Sequence, residues 1–194
     1  MTDGGHRIFI AVPLGAALRG AVRTLEQRLE AAGVALKWIE PQNLHFTLRF
    51  LGQISPAQLA RVRRATREGV REAEAFRISL AGIGAFPSAR RPQVVWVGVA
   101  AGVEQLRDLA RRLDDSLARE RFPKEPRPFQ PHLTLARIRE PGRATSLEAS
   151  IAPLAGVEVG EQDIRWVTVM ESHLRPSGAL YVPVEEVRLS THEK

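Results

Sequence analysis

The sequence predicts an α+β fold made by duplication, in which two antiparallel sheets flank a central cleft, helices lie outside, and a pseudo-twofold axis relates the two lobes. Three observations predict it. His45-Phe46-Thr47-Leu48 and His132-Leu133-Thr134-Leu135 say nearly the same thing 87 positions apart. The same offset places Arg7–Pro13 on Val94–Ala100 and Phe76–Ile83 on Asp163–Met170. Strand-like and helix-like segments also follow one another in the same order in both halves. The 194 residues therefore read as one two-lobed domain, with a repeat over approximately 7–83 and 94–170 and a last strand at about 181–187.

The first half opens with a β-rich run, Arg7 to Val12. From Gly15 to Ala32 the apolar residues Leu18, Val22, Leu25 and Leu29 recur at helical spacing, and Gly33 is the expected stop. Leu44 to Leu51 reads as a strand. Ser55-Pro56 marks a helix start, with serine at the cap and proline just inside, and that helix runs to about Ala73. A strand from Phe76 to Ile83 closes the first unit. The second half repeats the order: strand Val94–Val99, helix Val103–Arg121, strand His132–Ile138, a short helix over about Thr145–Leu154, and strand Ile164–Met170. The strand near Tyr181–Val187 has no counterpart in the first unit. The loop Phe122–Pro131 carries four prolines, which restrict the chain just before His132.

Composition narrows the chemistry. The apolar fraction is ordinary for a globular chain, and no apolar run reaches the roughly 18 residues of a membrane span. The N-terminus lacks the apolar core of a signal peptide, and the absence of cysteine fits a reducing cytoplasm. It also excludes thiolate nucleophiles, zinc–thiolate centres and disulfides. The net charge of +6 suits an acidic partner such as RNA. Coding bias is an equal explanation, because Lys37, Lys124 and Lys194 are the only lysines among 28 basic residues. No dimerisation stripe is evident, and a monomer is expected.

Residues i and i+2 of a strand share a face. His45 and Thr47 therefore project together, with Phe46, Leu48 and Phe50 expected behind; His132 and Thr134 project together over Leu133 and Leu135. A lone histidine or threonine in a strand is ordinarily structural. A matched pair in aligned surroundings is not. Across a pseudo-twofold axis the two imidazoles can serve as acid and base, and the threonine hydroxyls can donate to phosphate oxygens. Arg137, just past the second motif, could add a positive charge. A cyclic phosphate on vicinal ribose oxygens suits such machinery. No metal or other cofactor is expected, since each motif offers one good ligand and no carboxylate or cysteine. His6, His173 and His192 read as surface residues, and Trp96 and Trp166 as core.

These segments resemble the two-histidine phosphoesterase superfamily, and within it the RNA 2′,3′-cyclic phosphodiesterases, also described as 2′-5′ RNA ligases. The resemblance spans nearly the whole chain: Phe9–Pro13, Asn43–Gly52, Gly84–Pro87, Val95–Gly98, Phe129–Arg137, Glu171–Leu174 and Gly178–Tyr181. It implies a bilobal fold with the site in the cleft, and hydrolysis of a 2′,3′-cyclic phosphate RNA end to a 2′-phosphate. It implies His45 as the acid that protonates the leaving 3′ oxygen and His132 as the base that activates water. Thr47, Thr134 and Arg137 would bind the phosphate. Phe129 would stack on a base or pack in the core; the residues leave both open. Two other readings stand beside this one: 2′-5′ ligation at the same site, and a basic RNA-binding module without turnover.

Overall fold

The computed structural model describes residues 5–31, 36–138, 147–176 and 178–191. Strand β1 (His6–Pro13) leads through helix α1 (Ala16–Ala31) to the short strand β2 (Leu36–Trp38). A 3₁₀ turn at Pro41–Asn43 then delivers the chain into strand β3 (His45–Ile54). Helix α2 (Pro56–Val70), strand β4 (Phe76–Phe86), strand β5 (Val94–Ala101), helix α3 (Val103–Arg119) and strand β6 (His132–Ile138) follow. Helix α4 (Leu147–Ile151) precedes strands β7 (Glu158–Ile164), β8 (Trp166–Arg175) and β9 (Gly178–Arg188). The expected Gly33 helix stop and the start of the helix expected at Thr145 lie outside the described residues.

The strands form two antiparallel sheets, ordered β3-β1-β8-β9 and β2-β6-β5-β4-β7. Corresponding strands of the two halves occupy corresponding places, but the closing strands are exchanged. β4, from the first half of the sequence, pairs with β5; β8, from the second half, pairs with β1. Each sheet is thus built from both halves, rather than each half closing on its own third strand. Alternation explains how the sheets bury themselves. Ile8, Ile10 and Val12 of β1, Val95 and Val97 of β5, and Leu133 and Leu135 of β6 all point into one hydrophobic cluster beneath the helices. Leu18, Val22, Leu25 and Leu29 of α1 bury the stripe that their spacing predicted.

The start of α2 is as its sequence demands. The Ser55 side chain accepts from the Gln58 backbone N–H, the Gln58 side chain accepts from the Ser55 N–H, and Pro56 occupies the first turn. Two strands were not anticipated. β2 has three residues and sits at a sheet edge, and β7 is largely polar and pairs through one side with β4. Ile164 belongs to β7, so the strand expected from Ile164 begins instead at Trp166 and runs on to Arg175. Trp166 is 45% exposed, with the Arg188 guanidinium 5.3 Å from its ring centre, and not in the core. Among the described residues no helix is long and apolar enough to cross a membrane.

Candidate active site

The two histidines stand at the first positions of β3 and β6. Each is held in the same way by its own chain. His45 Nδ1 lies 2.6 Å from the Asn43 carbonyl oxygen, and His132 Nδ1 lies 2.7 Å from that of Gln130. A carbonyl oxygen can only accept, so Nδ1 carries the proton in both rings, leaving Nε2 for chemistry. The carbonyls come from corresponding positions two residues upstream. The Asn43 side chain in turn donates to the Ala179 carbonyl at 2.8 Å, tying the 3₁₀ turn to β9.

Aromatic walls surround both rings. Phe9 lies 4.9 Å and Tyr181 5.3 Å from His45, centre to centre, with Tyr181 edge-on. Phe86 stands edge-on to His132 at 5.0 Å and packs on Trp96. Trp96 is the repeat counterpart of Phe9; it is half-buried, pairs with Thr134 across the sheet, and is not part of the buried core cluster. Gly84 makes this wall possible: a Cβ there would stand 2.2 Å from the Trp96 ring. Burial holds His45 below the ordinary histidine pKa; its bond to Asn43 opposes this, and the nearby His132 charge lowers it further. The His132 imidazole is therefore near enough to act on His45.

That shift predicts a pH dependence of stability. An unfolded histidine titrates near 6.5, whereas folded His45 titrates lower. Between the two values the unfolded chain binds more protons, so stability falls as pH drops below about 6.5. His45→Gln should flatten this limb of a melting-temperature-against-pH curve between neutrality and about pH 5. An unchanged limb would place its origin elsewhere.

The cleft has a volume of about 440 Å³ and is lined by His45, Thr47, Thr134 and Arg137, with Phe50, Arg7, Lys37 and Arg175 around them. Thr47 and Thr134 thus face the same space as their strand pattern predicted. β-Bulges bring Phe50 and Arg137 to it. Opposite β1, Leu48 is an extra residue in β3; opposite β5, Leu135 is the extra residue at the corresponding place in β6. Each bulge reverses the alternation beyond it. Leu48 and Arg49 are both buried, as are Leu135 and Ala136, and the next residue returns to the cleft face. Phe50 is therefore 46% exposed in the cleft, with the Arg7 guanidinium 4.9 Å from its ring centre, and does not pack behind with Phe46. Arg137 occupies the equivalent position on the other strand.

Other site residues were invisible to the motif. Arg7, Lys37, Arg137 and Arg175 show no ion pair to a described carboxylate, whereas most arginines elsewhere are paired, so positive charge concentrates in the cleft. Glu40 is the one acidic residue lining it. Phe129 is half-buried, packs against the hydrophobic core and is not among the cleft-lining residues. His6 is half-buried at the start of β1, 2.9 Å from Glu171, rather than a free surface residue. His173 is exposed, but in β8 and not in a loop; His192 lies outside the described residues. Among the described residues no three His, Cys, Asp or Glu side chains converge as metal ligands do.

Comparison with known proteins agrees with this architecture. A protein of Methanothermobacter thermautotrophicus named RNA 2′,3′-cyclic phosphodiesterase is 38% identical over 183 residues, covering 94% of this chain and 98% of its own. One of the same name from Aquifex aeolicus is 38% identical over 154 residues, or 79% of this chain and 81% of its own. The crystal structure of TT0787 of Thermus thermophilus superposes with a TM-score of 0.79 at 28% identity, over 96% of this chain and 100% of that one. The sequence pattern of the 2′-5′ RNA ligase superfamily matches residues 8–169, and the chain belongs to that superfamily.

Proposed function

We propose that this chain is an RNA 2′,3′-cyclic phosphodiesterase, which opens the cyclic phosphate at an RNA end to a 2′-phosphomonoester by paired imidazole catalysis without a metal. The observation that carries the reading is the matched pair of histidines, each with Nδ1 anchored to a backbone carbonyl, at the heads of the two strands whose Thr47, Thr134 and Arg137 line a cationic cleft; His45 lines that cleft itself, and His132 stands two residues before Thr134. The names of the two relatives, matched over most of their length, support the substrate class.

In this reading His132 Nε2 takes a proton from water as its oxygen attacks phosphorus. The bond from phosphorus to the 3′ oxygen breaks, and His45 Nε2 delivers its proton to that oxygen. Thr47 and Thr134 donate hydrogen bonds to the nonbridging oxygens, and Arg137 balances their charge. The products are a 2′-phosphate and a 3′-hydroxyl. Proton exchange with water then restores both rings. Before substrate binds, burial favours the neutral form of His45. A phosphate anion set against it raises its proton affinity, so substrate binding arms the acid. Phe50, exposed and backed by Arg7, gives the terminal base a stacking surface. All these groups come from one chain, consistent with a monomeric enzyme. Ligation is the same ring opening with an RNA 5′-hydroxyl in place of water, giving a 2′-5′ phosphodiester, and the great excess of water makes hydrolysis the default.

The test is to give the protein an oligoribonucleotide ending in a 2′,3′-cyclic phosphate, with excess chelator present. The expected product is the 2′-phosphomonoester, formed at the same rate with and without chelator. A 3′-phosphate product, no turnover, or loss of activity on chelation would overturn the proposal.

A further inference from the structure

A second cavity, of about 330 Å³, adjoins the catalytic cleft at its Phe50 end. The two share Arg7, Ser172 and Leu174, and the second continues to Gln53, Glu171 and His173. Resting on the function proposed above, we infer that this cavity is the subsite for the nucleotide that precedes the cyclic end, so that the enzyme reads at least two nucleotides.

The backbone makes the two spaces one track. Leu51 is a second extra residue in β3, and Gly52 takes a left-handed φ of 71° beside it. With the bulge at Leu48, this puts His45, Thr47, Phe50 and Gln53 in turn along the open side of a single strand. A substrate whose reacting phosphate sits at His45 and whose terminal base lies on Phe50 is then directed along β3 toward Gln53.

Arg7 stands at the junction. Its guanidinium lies over the Phe50 ring and has no carboxylate partner among the described residues, so its N–H groups are available to a phosphate. The group expected at that junction is the phosphodiester between the last two nucleotides. The nearby carboxylate, Glu171, does not compete for Arg7. One of its oxygens lies 2.9 Å from His6 Nδ1, the other 3.6 Å from His173 Nε2. Leu174 is 73% exposed, and with Phe50 it supplies two of the exposed large apolar side chains of the described surface, one on each side of this junction. A base laid against Leu174 would cover it. The contacts are a charge, an apolar face and the Gln53 side-chain oxygen, whose partner nitrogen already donates to the Gly5 carbonyl, so the subsite takes any nucleotide with weak base preference.

The test compares kcat/KM for a 2′,3′-cyclic mononucleotide with that for a dinucleotide ending in the same cyclic residue. The dinucleotide should be favoured on the order of ten-fold, through KM, as expected for one added stacking and phosphate contact. Arg7→Gln and Leu174→Ser should each bring this ratio toward one; a ratio is insensitive to the fraction of folded protein. Turnover of both substrates at equal efficiency by the parent protein would overturn the subsite alone, as would a parent-like ratio in both variants. Turnover of neither substrate would overturn the function beneath it.

Discussion

Alanine at His132 or at His45 should lower the turnover of a cyclic-phosphate RNA end by roughly a hundred- to ten-thousand-fold, the range for removing one general acid or base. The losses should not add in the double variant, because both protons move in one reaction. Neither change should unfold the protein. His132 is partly exposed, and His45 makes its single side-chain hydrogen bond to a backbone carbonyl. Asparagine at either position should fare no better than alanine, since it can accept a hydrogen bond but cannot cycle a proton near neutral pH. Steady-state rates on a defined oligonucleotide, with circular dichroism of each variant, check this. A single-histidine variant with near-parental turnover would remove that ring from the mechanism.

The largest expected effect on stability lies at Arg49, in the middle of the first motif strand. The bulge that exposes Phe50 turns Arg49 inward, where it is 7% exposed. Its guanidinium meets Glu125 at 2.6 Å and Asp114 at 3.3 Å, and also bonds the Pro123 carbonyl. Pro123 and Glu125 belong to the proline-rich loop that runs into His132, and Asp114 belongs to α3. One buried cation thus ties the first motif strand to the approach of the second. Arg49→Met would remove the cation that Asp114 and Glu125 share, leaving Glu125 only the exposed Arg127 at 3.8 Å. Breaking a fully buried pair costs about 3–5 kcal/mol, and the lower end applies here because Glu125 is 38% exposed. Denaturant midpoints should fall accordingly, by on the order of 3 kcal/mol. Arg49→Lys should recover part of the loss, because it keeps the charge but not the fork that bonds Glu125 and the Pro123 carbonyl together. A midpoint within experimental error of the parent would show that the loop is held by its prolines alone.

The pairing of the motifs was legible because a duplicated segment carries its own internal control: a histidine repeated at one offset with its flanks is hard to produce by packing alone. The cap at Ser55 and the stripe of α1 were legible because they depend only on local chemistry. Strict alternation failed where the backbone inserts a residue. Nothing in Leu48-Arg49-Phe50 announces a bulge, so Phe50 was expected behind the strand. The same bulge in β6 puts Arg137 in the cleft, where two-residue alternation would have turned it away. The exchange of β4 and β8 was hidden because both arrangements bury the same alternating residues. β2 and β7 escaped because edge strands need little apolar content. Gln162 of β7 shows what such a strand can do: its side chain bonds the Pro13 carbonyl and the Gly15 N–H, fixing the turn after β1. Asn43 and Gln130 could have been found, since they sit at the repeat offset two residues upstream of the histidines and act through their carbonyls. Arg7 and Lys37 could not, because their role depends on lacking a partner in three dimensions.

In the proposed mechanism His45 hands a proton to the departing 3′ oxygen while His132 takes one from water. The most direct measurement replaces that oxygen by sulfur, in an oligonucleotide whose terminal cyclic phosphate is bonded through a 3′ sulfur. A thiolate departs without help from an acid. His45→Ala should therefore lose far less activity on the sulfur substrate than on the oxygen one, whereas His132→Ala should lose the same on both. Equal losses on the two substrates for His45→Ala, or rescue of His132→Ala instead, would contradict the assignment.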